Sequence, residues 1–147
     1  MEQEKKDEMY MRKALAEAQQ AFDEGEIPVG AVIVGNGTIL ARAHNNTERL
    51  QDVTAHAEML AFTAAANMLG AKYLTDCTLY VTLEPCPMGA GAAGWTQIGR
   101  IVYGASDPKR GFSRLGRDML HPKTSVEGDL LKEECEALLK SFFQQKR

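Results

Sequence analysis

Three side chains stand out for the chemistry that their types permit: His56, Glu58 and Cys86. Thr54-Ala55-His56-Ala57-Glu58 opens one apolar periodic segment, and Pro85-Cys86-Pro87-Met88 opens another. Both segments read as helices that follow a β segment. Their N-termini are therefore expected on one rim of a sheet, where α/β proteins bind ligands. An imidazole and a thiol at neighbouring helix starts make a corner suited to zinc. The helix dipole favours the thiolate, and nitrogen and sulfur donors suit Zn²⁺. Glu58, two residues beyond the histidine, is expected to carry protons to and from a metal-bound water rather than to hold the metal. Taken singly, a histidine at a helix start or a buried cysteine is more often a structural residue. The combination carries the inference.

Hydrophobic period and turn chemistry give the elements that must position these groups. Met11, Leu15, Ala18 and Phe22 recur at helical spacing, which predicts an amphipathic helix over about 4–24, ended by Gly25. The apolar run 27–34 reads as a strand, Gly35-Asn36-Gly37 as a hairpin turn, and Thr38–Ala43 as the returning strand. A polar loop spans His44 to Val53. Thr54 is expected to cap a helix that begins at Ala55 and stops at Gly70. Strands are expected at 77–82, 100–104 and near 124–127, with a second crossover helix after Glu84-Pro85 and a long loop over 105–123. A last helix shows Leu131, Cys135, Leu138, Leu139 and Phe142 on one stripe. This order implies a sheet sandwiched by helices, with parallel pairing wherever a helix crosses over.

Composition narrows the function classes. The chain has 147 residues, 44% hydrophobic and 25% charged, which is ordinary for one globular domain. No apolar run approaches the roughly 18–20 residues of a membrane span. The charged start, MEQEKKDEMY, is unlike a signal peptide. Three cysteines, Cys77, Cys86 and Cys135, do not suggest a disulfide scaffold, so a cytoplasmic protein is expected. The net charge of −3 argues against indiscriminate nucleic-acid binding. It conceals a basic cluster, Lys109, Arg110, Arg114, Arg117 and Lys123, that could meet phosphates or simply be solvated.

The pattern H-x-E followed by P-C-x-x-C is that of the zinc nucleobase deaminases. Over nearly its whole length the sequence resembles the bacterial tRNA adenosine deaminase family. The matching stretches are Glu26–Val32, His44-Asn45, Thr54–Glu58, Thr78–Cys86, Ile98–Asp107 and Ser141-Phe142-Phe143. The resemblance implies a cytidine deaminase-like α/β fold, a three-layer α/β/α sandwich on a mixed five-stranded sheet. It also implies a homodimer that converts the wobble adenosine of certain tRNAs to inosine, bound through the anticodon stem-loop. His56 and Cys86 then resemble zinc ligands and Glu58 the general acid/base. Asn45 resembles the residue that hydrogen-bonds the flipped base, and Asp107 one that approaches the ribose. Val29, Glu84, Lys109 and Arg110 fall among the substrate-contacting positions.

One position departs from the family. Its second cysteine should stand three residues after Cys86, and here Gly89 stands there. With roughly 10–16 kcal/mol for a structural zinc spread over four ligands, a missing thiolate removes roughly 3 kcal/mol. Zinc is therefore expected to be held weakly and deamination to be impaired. Gly89-Ala90-Gly91-Ala92-Ala93-Gly94 is a run of small residues, and Ala93 and Gly94 stand where larger side chains are expected. The run reads as a chain altered to remove a ligand and enlarge the pocket; a natural paralogue that drifted after losing activity and a functional deaminase that tolerates the change are the alternatives. A free-base deaminase, a non-enzymatic RNA-binding scaffold and a binder or catalyst for a different small molecule, with Glu58 as base or Cys86 as nucleophile, also remain open.

Overall fold

The computed structural model describes residues 2–145. Helix α1 spans Glu2–Asp23, and strands β1 (Gly30–Gly35) and β2 (Thr38–His44) form a hairpin. Helix α2 (Ala57–Leu69) leads to β3 (Cys77–Leu83), and α3 (Pro87–Thr96) to β4 (Arg100–Ala105). A short 3-10 turn at Phe112–Leu115 precedes β5 (Ser125–Glu127) and the last helix, α4 (Lys132–Gln145). The five strands lie in the order β2-β1-β3-β4-β5.

The hairpin turns where expected. Asn36 (φ 52°) and Gly37 (φ 70°) both adopt the left-handed conformation that a tight two-residue turn demands. Pairing departs from expectation at the first crossover. Strand β3 runs in the direction of β2, but β1 lies between them, so β3 pairs antiparallel with β1. Parallel pairing begins only at β3/β4 and β4/β5. The sheet is therefore mixed.

Alternation along the strands divides the core in two. Ala31, Ile33, Leu79, Val81 and Ile101 pack with Ala57, Ala61, Phe62 and Ala65 of α2 and with Ala90 and Ala93 of α3. Val32, Val34, Tyr80 and Val102 face the opposite way, against Tyr10, Met11 and Ala14 of α1. Helix α4 lies on the α1 side, where Phe142 meets Phe22 edge-on at 5.9 Å between ring centres. Both sheet faces are covered, which makes three layers.

Two expected element starts shift. The strand begins at Gly30 rather than Ile27, because Pro28 has no N–H to donate and Val29 instead donates to the carbonyl of Ile27 at 2.9 Å. Helix α2 begins at Ala57 with His56 as its N-cap residue, not at Ala55 after Thr54. Thr54 spends both its N–H (2.9 Å) and its hydroxyl (2.7 Å) on the Asp52 carboxylate, a local turn that competes with capping. At the far end Gly70 (φ 64°) closes α2 in the left-handed conformation.

Candidate functional site

The cleft lies at the carboxyl ends of β3 and β4, beside the N-termini of α2 and α3, with a volume of about 680 Å³. Each of those helices carries a functional group at its N-cap. His56 is the N-cap residue of α2 and Cys86 that of α3, followed by Pro87 in the first turn, and the His56 side chain makes no cap hydrogen bond to its own helix. Their extended backbones, with ψ of 154° and 172°, aim both side chains off the helix ends into the cleft. Cys86 Sγ and His56 Nδ1 are 3.8 Å apart. The hydrogen bond to His56, helped by the N–H groups of Gly89 and Met88, draws the Cys86 thiol below its ordinary range. The same hydrogen bond to Cys86 lifts the His56 imidazole above its own. Glu58, in the first turn of α2, is buried, and that burial pushes its carboxyl up.

The pair fits two corners of a zinc tetrahedron. Nitrogen at about 2.0–2.1 Å and sulfur at about 2.3 Å from the ion would stand roughly 3.6 Å apart. The third corner is missing. Gly89 offers no donor, and a Cβ built there would collide with the Glu58 Oε2, so the carboxyl occupies the space a side chain at 89 needs. Among the described residues no cluster of three His, Cys, Asp or Glu side chains could hold a metal ion. His44 cannot substitute, because Glu17 and Glu24 each hold one of its ring nitrogens at 3.0 Å. His121 accepts from the backbone N–H of Lys123 at 3.1 Å and does not line the cleft. The side chains present thus do not complete a three-ligand zinc site.

The other sequence-predicted residues divide. Val29, Asn45, Asp107, Lys109 and Arg110 all line the cleft with His56, Glu58 and Cys86. Asn45 donates through Nδ2 to the Ile27 carbonyl at 3.3 Å, while its buried Oδ1 has no partner. Asp107 Oδ1 accepts from the N–H groups of Lys109 (3.2 Å) and Arg110 (3.1 Å), which folds the loop that carries both bases. Glu84 lies at the cleft, and both its oxygens accept from that loop, which makes it an anchor of the loop backbone. Of the basic cluster, Arg114, Arg117 and Lys123 stay outside the cleft, and Arg117 is committed to the carbonyls of His121 and Thr124.

The residues expected to enlarge the pocket lie outside its lining. Gly89, Ala93 and Gly94 do not line the cleft. Ala93 is 1% exposed and packs in the core beneath α3. A Cβ at Gly94 would strike the Met119 carbonyl, so this glycine permits a close backbone approach and leaves no cavity. Sequence reasoning missed Leu139 and Phe143 of α4, which close one side of the cleft. Leu139 belongs to a helical stripe that reads as core, and Phe143 follows it one turn later.

Residues 4–105 match the model of the cytidine and deoxycytidylate deaminase zinc-binding region. The chain belongs to this deaminase family. Within the family it is 46% identical over 146 residues to the tRNA-specific adenosine deaminase of Bacillus subtilis, covering 96% of this chain and 91% of that protein. The corresponding protein of Aquifex aeolicus is 44% identical, with 95% of each covered. A structure solved in a study of A-to-I editing by tRNA:A34 deaminases superposes with a TM-score of 0.84 at 40% identity, covering 89% of this chain and 99% of that one. This deaminase is thus a tRNA adenosine deaminase-like hydrolase on the cytidine deaminase-like fold, from a zinc-binding family. No helix among the described residues is long and apolar enough to cross a membrane.

Proposed function

We propose that the cleft receives the wobble adenosine of a tRNA anticodon stem-loop, and that this cytoplasmic, homodimeric deaminase converts it to inosine far more slowly than relatives with a full ligand set. The observation that carries the reading is the unpartnered Asn45 Oδ1, a buried acceptor on the cleft wall. A buried acceptor left without a donor is costly, and a nucleobase N–H or amino group entering the cleft would satisfy it. At about 680 Å³ the space is large enough for a nucleotide extruded from its loop. Lys109 and Arg110 at the same opening suit the flanking phosphates, and Asp107 the ribose. Hydrolytic deamination replaces the exocyclic amine by oxygen and releases ammonia; the buried Glu58 carboxyl is the group that would move the protons. The names of the relatives support the substrate, and the missing donor at 89 supports the impairment.

The test is binding and turnover on a synthetic stem-loop with adenosine at its wobble position. Affinity should fall with salt, and Lys109→Ala and Arg110→Ala should each lower the slope of log affinity against log salt by about 0.7–0.9. Lys123→Ala, outside the cleft, should leave the slope nearly unchanged. A flat salt response in the unmodified chain would show that the basic loop is only solvated. Ammonia release from free guanine or cytosine, with no stem-loop binding, would move the protein to the free-base class. Gly89 favours one second reading: an RNA-binding protein that holds the stem-loop without turning it over. Saturable binding with no inosine formed would establish it.

A further inference from the structure

Two buried carboxylates take no part in the chemistry above. Glu26, 1% exposed, sits just past α1, and Glu84, 4% exposed, just past β3. Glu26 Oε1 accepts from the backbone N–H of Glu48 at 3.0 Å, and its Oε2 from that of Arg49 at 2.7 Å. Glu84 Oε1 accepts from the N–H of Asp107 at 3.0 Å. Its Oε2 accepts from Ser113 twice, from the N–H at 3.0 Å and the hydroxyl at 2.6 Å. Loop backbone has no ladder in which to satisfy its N–H groups, and hydrogen bonds to a carboxylate are among the stronger substitutes.

The two loops held in this way both line one cleft. The first supplies Asn45, Thr47 and Val53, and the second supplies Asp107, Lys109 and Arg110. Contact in the second is direct: a Cβ at Gly111 would collide with the Glu84 carboxylate, so the loop backbone lies on it. The same loop is tied to the Cys86 side by the N–H of Phe112, which donates to the Pro85 carbonyl at 2.9 Å. In the first loop, Gly25 (φ 81°) ends α1 and the Glu26 N–H returns to the Ala21 carbonyl at 2.9 Å. That turn fixes the backbone from which the Glu26 side chain reaches the loop.

We propose that Glu26 and Glu84 are positioning residues, each fixing one loop wall from inside the fold. Glu26 sets the wall that carries Asn45, and Glu84 sets the wall that carries the two bases. The functional half of this inference rests on the stem-loop reading above; the structural half does not. Glutamine is the informative substitution, since it keeps the shape but has one acceptor oxygen and one donor nitrogen. It can accept at only one of the two oxygen positions and turns a donor toward the N–H at the other.

The experiment combines hydrogen exchange on the full chain with binding of the wobble-adenosine stem-loop. In Glu84→Gln, amides at 107–113 should exchange about tenfold faster or more, and the salt slope of binding should fall by about 0.7–0.9 for each base that leaves the backbone. In Glu26→Gln, amides at 48 and 49 should quicken instead, with the slope kept and the preference for wobble adenosine over guanosine reduced about fivefold. A merely structural role would loosen the whole chain in both variants alike. Unchanged exchange in the two loops overturns the proposal, and so do loosened loops with unaltered slope and preference in a chain that binds. If the unmodified chain does not bind the stem-loop, the proposed function falls, and the exchange data alone decide whether the carboxylates hold the loops. Should the glutamine variants fail to fold, Ser113→Ala and Glu26→Asp remove less. They should show the same local loosening in the same loops, and its absence overturns the proposal.

Discussion

Gly89→Cys should raise bound zinc from well below stoichiometric to about one ion per chain, and inosine formation on a wobble-adenosine stem-loop about a hundredfold. The magnitude follows from roughly 3 kcal/mol per zinc ligand, or about two decades of affinity. The geometry favours rescue, because His56 Nδ1 and Cys86 Sγ already stand 3.8 Å apart and position 89 lies in the first turn of α3. One obstacle is visible. The Glu58 carboxyl fills the space of the new side chain and must rotate aside within its buried setting. Glu58→Gln in the Gly89→Cys background should keep the zinc and lose turnover, since the glutamate moves protons and does not hold the metal. Metal analysis by mass spectrometry with an inosine assay decides the matter. If the unmodified chain already forms inosine at a rate that Gly89→Cys does not improve, the glycine is not what limits it.

Asp7→Ala should destabilise the protein by about 3 kcal/mol, the low end for breaking a buried ion pair, and lower its Tm by roughly 6–12 °C. Asp7 in α1 is 6% exposed and accepts from Arg100 at 2.6 and 2.8 Å, from the Tyr80 hydroxyl at 2.6 Å and from Gln3 at 2.8 Å. One carboxylate thereby ties α1 to β3 and β4. Burial by itself would raise its pKa; the hydrogen bonds from Arg100, Tyr80 and Gln3 outweigh that and bring it down to about 2. A folded-state pKa below the usual 3.8 means that the folded chain binds this proton less readily than the unfolded one. The stabilisation, about 2 kcal/mol, is complete above the usual pKa and is lost as the pH falls from about 4 to about 2. Thermal melts across that window should steepen for the unmodified chain relative to Asp7→Ala. Glu127→Ala removes only the exposed partner of Arg100 and should cost less than about 1 kcal/mol. A Tm for Asp7→Ala within a degree or two of the parent would show that the network is not stabilising.

Much of this protein is written locally. The Asn36-Gly37 turn and the Gly25 and Gly70 helix ends depend on residues a few positions apart, and the structure has them where the sequence predicts. Local chemistry can also mislead when two local options compete. Thr54 is a good cap by type, yet Asp52 two residues earlier captures it, and the cap passes to His56. The helix-start motifs at 54–58 and 85–88 point to a paired imidazole and thiol because a helix N-cap fixes where its side chain faces.

The rest depends on contacts between distant segments, which no local pattern carries. Asp7 and Arg100 are 93 positions apart, and nothing in the charged face of α1 distinguishes Asp7 from its solvated neighbours. Glu84 reads as a substrate residue by motif and is a loop anchor by packing, because its partners at 107 and 113 arrive only when β4 pairs with β3. Gly94 reads as lost volume in a helix, whereas the Met119 carbonyl packs against it. The sequence by itself determined the family and the layers and placed a glycine three residues after Cys86, since each follows from residue type and spacing. Only the tertiary structure decided that Glu58 fills the space beside that glycine, that two of five clustered bases reach the cleft, and that buried carboxylates hold its walls, because burial and long-range hydrogen bonding exist only once the sheet has closed.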